Sequence, residues 1–191
     1  MSSGKTGIAV VSIPDMKFVA EIPLPNSPQG FAVEKQGRRM FVNIPDANRV
    51  AVINRHDRNV IATWALDDAG DNFPMALDGE DERFFIATRT PAQMLALDTR
   101  SGKIISRVPC VGDADDMWYD GAQKRIYISG SEGFISVIQQ QNSDHYALLY
   151  RLRTARGAAN SALSVKMKSL YVGLPRRNRD AAEIRVYRTA P

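Results

Sequence analysis

Cysteine is almost absent from this 191-residue sequence, and its scarcity excludes two kinds of site. Cys110 is the only cysteine, so an internal disulfide and a metal centre built from several thiolates are both excluded. We interpret Cys110 as a small core residue, because neither histidine is placed to activate its thiol. A glycine-rich phosphate loop is also missing, since Ser131-Glu132-Gly133 is typical of a tight turn.

Long hydrophobic runs are missing as well. No apolar stretch approaches the roughly 18 residues that a transmembrane helix requires, so we predict no membrane span. The apolar patch at residues 8–11 is shorter than the core of a secretory signal, which needs about 7–15 residues. We therefore expect no export signal in the sequence as given.

The charge is distributed unevenly along the chain. Residues 151–191 hold ten Lys or Arg against two acidic residues, whereas residues 1–150 hold 15 Lys or Arg against 19 acidic residues. A basic segment of this kind can attract phosphate groups. No stacking aromatic side chains accompany these arginines, however, so the sequence does not favour nucleic acid as a partner.

What the sequence does contain is an internal repeat. A short β-run with an aromatic residue recurs at Phe41, Phe85, Tyr127 and Tyr171, at intervals of 44, 42 and 44 residues. A fixed period of this length indicates one small β-unit copied along the chain.

Each copy contains up to four short β-runs joined by polar turns, and no amphipathic helix of useful length appears. The aromatic of the second run always lies nine residues after a position in the first run, which predicts one constant hairpin register. The paired positions are Ala32 and Phe41, Ala76 and Phe85, Trp118 and Tyr127, and Ala162 and Tyr171. Four antiparallel strands per unit predict an all-β fold, a β-propeller of four-stranded blades.

The predicted propeller is partial, within a single domain over residues 1–191. Complete blades are expected at residues 30–65, 73–109 and 116–152, with incomplete blades at 7–24 and 160–188. An arc of this kind would expose unpaired strand edges. Two arrangements follow: a homo-dimer in which two arcs complete a ring head to tail, or a four-unit ring in which the N-terminal strands join the last blade. We favour the first.

The amino-acid sequences of the copies indicate a family more specifically than the length of the repeat does. The segments RRMFVNIPDANRVAVINRHDRNVIATWAL and LALDTRSGKIISRVP resemble the YVTN-type β-propeller repeat family. The chain resembles the C-terminal part of such a propeller. The resemblance implies a bacterial protein of unassigned ligand, and it suggests a periplasmic or extracellular location.

Ligand sites of propellers usually lie at the mouth of the central channel, on the face that carries the fourth-to-first and second-to-third connections. We call this the loop face. Polar residues expected there form the candidate ligand site: Asn72, Arg89, Asp113, Asp115, Asp116, Glu132, Arg156 and Asn160. The histidines, His56 and His145, fall in third-to-fourth turns on the opposite face, which argues against haem or copper ligation and against Ser-His-Asp catalysis.

Asp113, Asp115 and Asp116 form the densest group of candidate ligand side chains in the chain. Its carboxylates could hold calcium, as they would in a lactonase-type propeller, or they could cap strand ends and pair with Arg89 or Arg156.

The amides of Asn72 and Asn160 could face a ligand or tie their loops to the backbone. We therefore expect a non-enzymatic scaffold without a cofactor, which binds a small polar ligand or a protein partner. The alternative is a calcium-assisted hydrolase of the lactonase type.

Overall fold

The computed structural model describes residues 6–177 and 181–189, so residues 178–180 of the last predicted unit lie outside the described residues. The described chain forms seventeen strands in five antiparallel sheets, and its one helix is the short 3-10 segment Pro45–Ala47. No described helix has the length and apolar character that would let it cross a membrane.

The sheets follow one another in chain order, and we number them 1 to 5. Sheet 1 contains β1 (Gly7–Ser12) and β2 (Lys17–Pro23). Sheet 2 contains β3 (Phe31–Val33), β4 (Arg39–Ile44), β5 (Arg49–Asn54) and β6 (Asn59–Ala65). Sheet 3 contains β7 (Gly70–Asp78), β8 (Arg83–Thr90), β9 (Ala92–Asp98) and β10 (Ile104–Pro109). Sheet 4 contains β11 (Ala114–Asp120), β12 (Arg125–Gly130), β13 (Phe134–Gln140) and β14 (Tyr146–Arg153). Sheet 5 contains β15 (Ser161–Ser164), β16 (Ser169–Leu174) and β17 (Glu183–Arg188).

Each of the three central sheets is a four-stranded meander in which consecutive strands are neighbours. This confirms the predicted fold class, an all-β partial propeller with four-stranded antiparallel blades. The predicted hairpin register is also present. The structure pairs Ala32 with Phe41, Ala76 with Phe85, Trp118 with Tyr127, and Ala162 with Tyr171.

The third strand of each central sheet explains how the sheets pack. In β5, Val50 and Val52 contact sheet 3, whereas Ala51 and Ile53 contact sheet 1. Alternate side chains of a strand point to opposite faces, so a strand that is apolar at every position must be covered on both sides. Four hydrophobic clusters result, one between each pair of successive sheets.

The order of these clusters describes an open arc. Sheet 1 packs only on sheet 2 among these clusters, through Ile8, Val10 and Ile22. Within residues 6–177 and 181–189, β1 pairs with β2 alone and β17 pairs with β16 alone. The four-unit ring considered above is therefore not formed in this structure, because within the described residues β1 and β2 pair only with each other and do not join sheet 5.

We expect the central sheets to depend on their neighbours more strongly than the last one does. Phe85 is fully buried between sheets 3 and 4, whereas the equivalent Tyr171 of sheet 5 is partly exposed. Phe85→Ala should lower the free energy of unfolding by about 3–5 kcal/mol, because it leaves a cavity in a packed core. Tyr171→Ala should cost clearly less. Urea denaturation of dilute protein measures both, and equal losses would contradict the packing described here.

Candidate functional site

A groove of about 350 Å³ lies where the first strands of sheets 2, 3 and 4 begin, next to the fourth-to-first loops. Three short segments line it, residues 29–31, 73–75 and 115–118. The innermost strands of a propeller surround its central channel, which is where ligand sites of this fold are usually found. The groove therefore lies in the region where the sequence predicted a ligand site.

The inner strands approach each other closely at Gly30. A Cβ atom at this position would lie 2.4 Å from the carbonyl oxygen of Phe73, a distance that no side chain tolerates. Behind this contact, Asn43 donates from Nδ2 to the same carbonyl oxygen at 2.9 Å. Glycine at position 30 thus allows β3 and β7 to come together and form one wall of the groove.

The predicted site residue Asn72 lies beneath the groove and is fully buried. Its Nδ2 atom donates to Asn43 Oδ1 at 2.8 Å and to the carbonyl oxygen of Arg49 at 3.0 Å. Of the two roles considered for Asn72, these bonds correspond to tying the loop to the backbone of sheet 2. The side chain joins two sheets and is not among the groove-lining residues.

Arg89 is the most connected charged side chain beside the groove. Its guanidinium lies 3.0 Å from a carboxylate oxygen of Asp113, donates to Asp115 and also reaches the carbonyl oxygen of Ala114. Its Cζ atom lies 3.9 Å from the centre of the Phe73 ring, an arrangement that favours a cation–π interaction. Arg89 therefore attaches the loop before β11 to sheet 3.

Asp116 takes part in a second junction, between sheets 4 and 5. Its Oδ2 atom accepts a hydrogen bond of 2.6 Å from the backbone N–H of Ser161. The Ser161 hydroxyl oxygen accepts a bond of 3.1 Å from the indole N–H of Trp118. Burial raises the pKa of Asp116, and the charge of Asp115 adds to the rise, while the bond from Ser161 opposes it.

The three aspartates predicted as calcium ligands do not point at a common centre. Asp113 and Asp115 are held by Arg89, and Asp116 is turned toward Ser161. Within the described ranges, no group of three or more Asp, Glu, His or Cys side chains is placed to hold a metal ion. Calcium binding by this run stays a prediction, and it would require the Arg89 ion pairs to rearrange.

The remaining predicted residues lie outside the groove lining. Glu132 accepts a hydrogen bond of 2.9 Å from the N–H of Gly112 and forms an ion pair with Arg151 at 3.4 Å. Arg156 and Asn160 are exposed on the loop between sheets 4 and 5. Of the eight candidates, the structure thus places Asp115 and Asp116 in the lining.

Three aromatic residues line the groove, Phe31, Phe73 and Trp118, and none of them was among the predicted site residues. Of these, Phe31 and Trp118 are the accessible ones. Phe31 is 64% exposed and Trp118 is 36% exposed, so both present ring surface to solvent. Comparison of the repeat copies could have identified Trp118 as a candidate site residue. The aligned positions in the other three copies are Ala32, Ala76 and Ala162, so an indole here departs from the repeat.

The two histidines and the cysteine lie away from this groove. His56 and His145 are exposed near the β5–β6 and β13–β14 turns. Cys110 is buried, and burial raises the pKa of its thiol to about 12. A thiol with this pKa is almost entirely protonated at neutral pH, which agrees with the interpretation of Cys110 as a core residue.

A second polar cluster, between sheets 3 and 4, was not predicted. Asp78 is almost fully buried, and its Oδ2 atom accepts a bond of 2.8 Å from the Tyr119 hydroxyl and one of 3.0 Å from Gln140 Nε2. Lys124 Nζ lies 3.1 Å from Asp81 in the same cluster. Burial raises the pKa of Asp78, but the hydrogen bonds from Gln140 and Tyr119 together lower it by more. The pKa of Asp78 therefore lies below its ordinary value.

Comparison with known proteins supports the fold. No family model matches the chain, so the likeness to the YVTN-type repeat family stays a resemblance. The uncharacterized protein YncE of Salmonella typhi is 22% identical over 152 residues, which cover 78% of this chain and 42% of that protein. YncE of Escherichia coli K12 is 27% identical over 81 residues, 41% of this chain and 23% of that protein. The chain therefore matches less than half the length of these curated relatives.

A solved structure, the hydrazine synthase of Kuenenia stuttgartiensis, superposes with a TM-score of 0.79. The superposition covers 96% of this chain and 57% of that chain, at 12% sequence identity. At this identity the likeness establishes the propeller fold alone.

We expect Arg89 to stabilise the groove more than an exposed arginine can. Arg89→Ala should lower the free energy of unfolding by about 1–3 kcal/mol, because it leaves the Asp113 and Asp115 carboxylates close together without a counter-charge. Arg107→Ala is the matched control, since Arg107 pairs with the exposed Asp67 and Asp68. This control should cost less than about 1 kcal/mol. Equal losses in urea denaturation would contradict the role given to Arg89.

The lowered pKa of Asp78 predicts a pH-dependent contribution to stability. A carboxyl group whose pKa is lower in the folded than in the unfolded state stabilises the protein above the unfolded value, here 3.8, and this contribution is lost as the pH falls. Asp78→Asn should therefore be less stable than the wild type at neutral pH, and the difference should shrink in acid.

Tyr119→Phe provides the matched comparison, because it removes one hydrogen bond to Asp78 and leaves the carboxylate in place. In this variant the stability lost on acidification should be smaller than in the wild type, and the loss should be complete at a higher pH, because the pKa of Asp78 in the folded state then lies closer to its unfolded value. Thermal denaturation across a pH series measures both effects. A difference between Asp78→Asn and the wild type that does not change with pH would refute the assignment.

Proposed function

We propose that this protein is a non-enzymatic β-propeller scaffold that binds a small polar ligand, or a polar side chain of a protein partner, in the groove between β3, β7 and β11. The observation that carries the proposal is the composition of the groove lining. It combines the exposed rings of Phe31 and Trp118 with the carboxylates of Asp115 and Asp116. A concave surface that combines apolar side chains with a few polar groups is typical of ligand sites.

The charges around the groove favour a cation. Arg89 supplies one positive charge beside three carboxylates, those of Asp113, Asp115 and Asp116, so the loop keeps a negative surplus when all three are ionised. An aromatic face also attracts a cation, and Trp118 offers the strongest such surface. An ammonium or guanidinium group is therefore the ligand chemistry that fits best.

The polar side chains beside the groove already form ion pairs and hydrogen bonds with one another and with the backbone, which favours ligand binding over hydrolysis. Arg89 holds Asp113 and Asp115, and Asp116 is bonded to the backbone of Ser161. These contacts are structural. Asp115 and Asp116 nevertheless keep part of their surface in the groove lining. The distant similarity to YncE agrees with a scaffold role and assigns no ligand.

Titration with N-acetyl-arginine amide, followed by NMR, tests the proposal. The chain has two tryptophans, so the indole N–H signal of Trp118 can be assigned from a Trp64→Phe variant. We expect this signal to shift on titration, with N-acetyl-citrulline amide, a neutral compound of similar shape, binding at least about tenfold more weakly.

Trp118→Ala is the matched variant, because alanine occupies the aligned position in the other three copies and should be compatible with the fold. It should abolish the shifts that the arginine compound causes in the backbone signals of the groove. Equal binding of the charged and neutral compounds, or unchanged binding by this variant, would overturn the proposal.

The calcium-assisted hydrolase remains the alternative, and a calcium titration separates the two. We expect millimolar calcium to leave the melting temperature unchanged, because a ligand stabilises only a fold that binds it. Stabilisation by calcium that is lost in Asp113→Asn would favour the alternative instead.

A further inference from the structure

The last sheet carries an apolar face that no described residue covers. On this face Ala162, Tyr171 and Val186 lie side by side on the three strands, and Gly173 pairs with Ile184 next to them. Ile184 is 72% exposed and Val186 is 56% exposed. We call these residues the trailing face, because the matching face of every earlier four-stranded sheet points toward the sheet that follows.

The same positions are buried wherever a following sheet is present. Residues that match Tyr171, Ile184 and Val186 lie in the clusters between sheets 2 and 3, 3 and 4, and 4 and 5. All are at most 4% exposed: Phe41, Phe85 and Tyr127 for Tyr171; Val50, Met94 and Ile135 for Ile184; Val52, Ala96 and Val137 for Val186. The trailing face therefore has the composition of an interface between two sheets.

The first sheet carries the complementary face. In β1, Ile8 and Val10 pack on sheet 2, which leaves Ala9 and Val11 on the outward side together with Phe18, the partner of Val11. Val11 is 45% exposed and Phe18 is 66% exposed. We call these three outward residues the leading face.

The positions that match Ala9 and Val11 of the leading face are buried in the later sheets. Ile53, Leu97 and Ile138 correspond to Val11, and each of them is fully buried against the preceding sheet. In the chain itself, a trailing face is thus covered by the leading face of the next repeat between sheets 2 and 3 and between sheets 3 and 4.

We infer that two copies of this chain associate head to tail, with the trailing face of one copy packed against the leading face of the other. The occupant is a second copy because the chain contains both halves of an interface that it already forms within itself. The contact is heterologous, so both interfaces of a pair form when the ring closes.

Sedimentation velocity of the full chain over a concentration series tests the inference. We expect a species of at least twice the monomer mass, and a monomer at all concentrations would overturn it. Val186→Glu on the trailing face and Val11→Glu on the leading face should each abolish association, because every interface then contains a buried charge. Both side chains are exposed in the single chain, so neither change should disturb the fold, and circular dichroism verifies this.

Mixing the two variants distinguishes head-to-tail contact from any symmetric contact of like faces. The normal trailing face of the Val11→Glu copy can bind the normal leading face of the Val186→Glu copy, so an equimolar mixture should form a heterodimer. Association of either variant with itself, or failure of the mixture to associate, would contradict the inference.

Ile61→Glu serves as the control for added charge. Ile61 is 52% exposed on β6, which belongs to neither end face. This variant should associate like the wild type. If it also becomes monomeric, the effect reflects added charge in general and the assigned interface is wrong. None of these positions lines the groove, so the result is independent of the proposed ligand site.

Discussion

The structure depends on one constraint: the middle strands of each sheet are apolar on both faces and must be covered on both sides. Phe84 and Phe85, neighbours in β8, show this directly, since one packs on sheet 2 and the other on sheet 4, and both are fully buried. No single sheet can satisfy such a strand, so stability is shared between neighbours, as in other repeat proteins. The radial order of the sheets, and hence the position of the groove, follows from this need.

The fold could be predicted because its determinants are local and repeated. The nine-residue spacing from Ala76 to Phe85 recurs in each copy and fixes the register of each inner hairpin, where a shift by one residue would expose the core face. The incomplete sheets at both ends were also visible in the number of strands per copy. What the spacing did not determine was whether the β1–β2 hairpin would join sheet 5. That choice depends on pairing between the two ends of the chain, which no spacing within a copy encodes.

The candidate site was predictable only in part, because its contacts connect different repeats. The sequence placed Asp115 and Arg89 on one face and allowed for their pairing, which the structure contains. It could not show that Asn72 is buried against Asn43, or that Asp78 meets Gln140, since these contacts depend on how neighbouring sheets are oriented. Trp118 could have been singled out as a departure from an alanine position. A repeat defines its own expected residue, and a departure from it points to a role outside the shared fold.

Ser161 gives the groove a connection to the last sheet. It is the first residue of β15, and it receives the Trp118 indole on its hydroxyl and donates its N–H to Asp116. A molecule that immobilises these two lining residues would also restrict the opening of the junction between sheets 4 and 5. Occupancy of the groove by the proposed ligand would therefore be thermodynamically linked to local unfolding of the C-terminal sheet, and it would slow amide hydrogen exchange in a strand that the ligand does not touch.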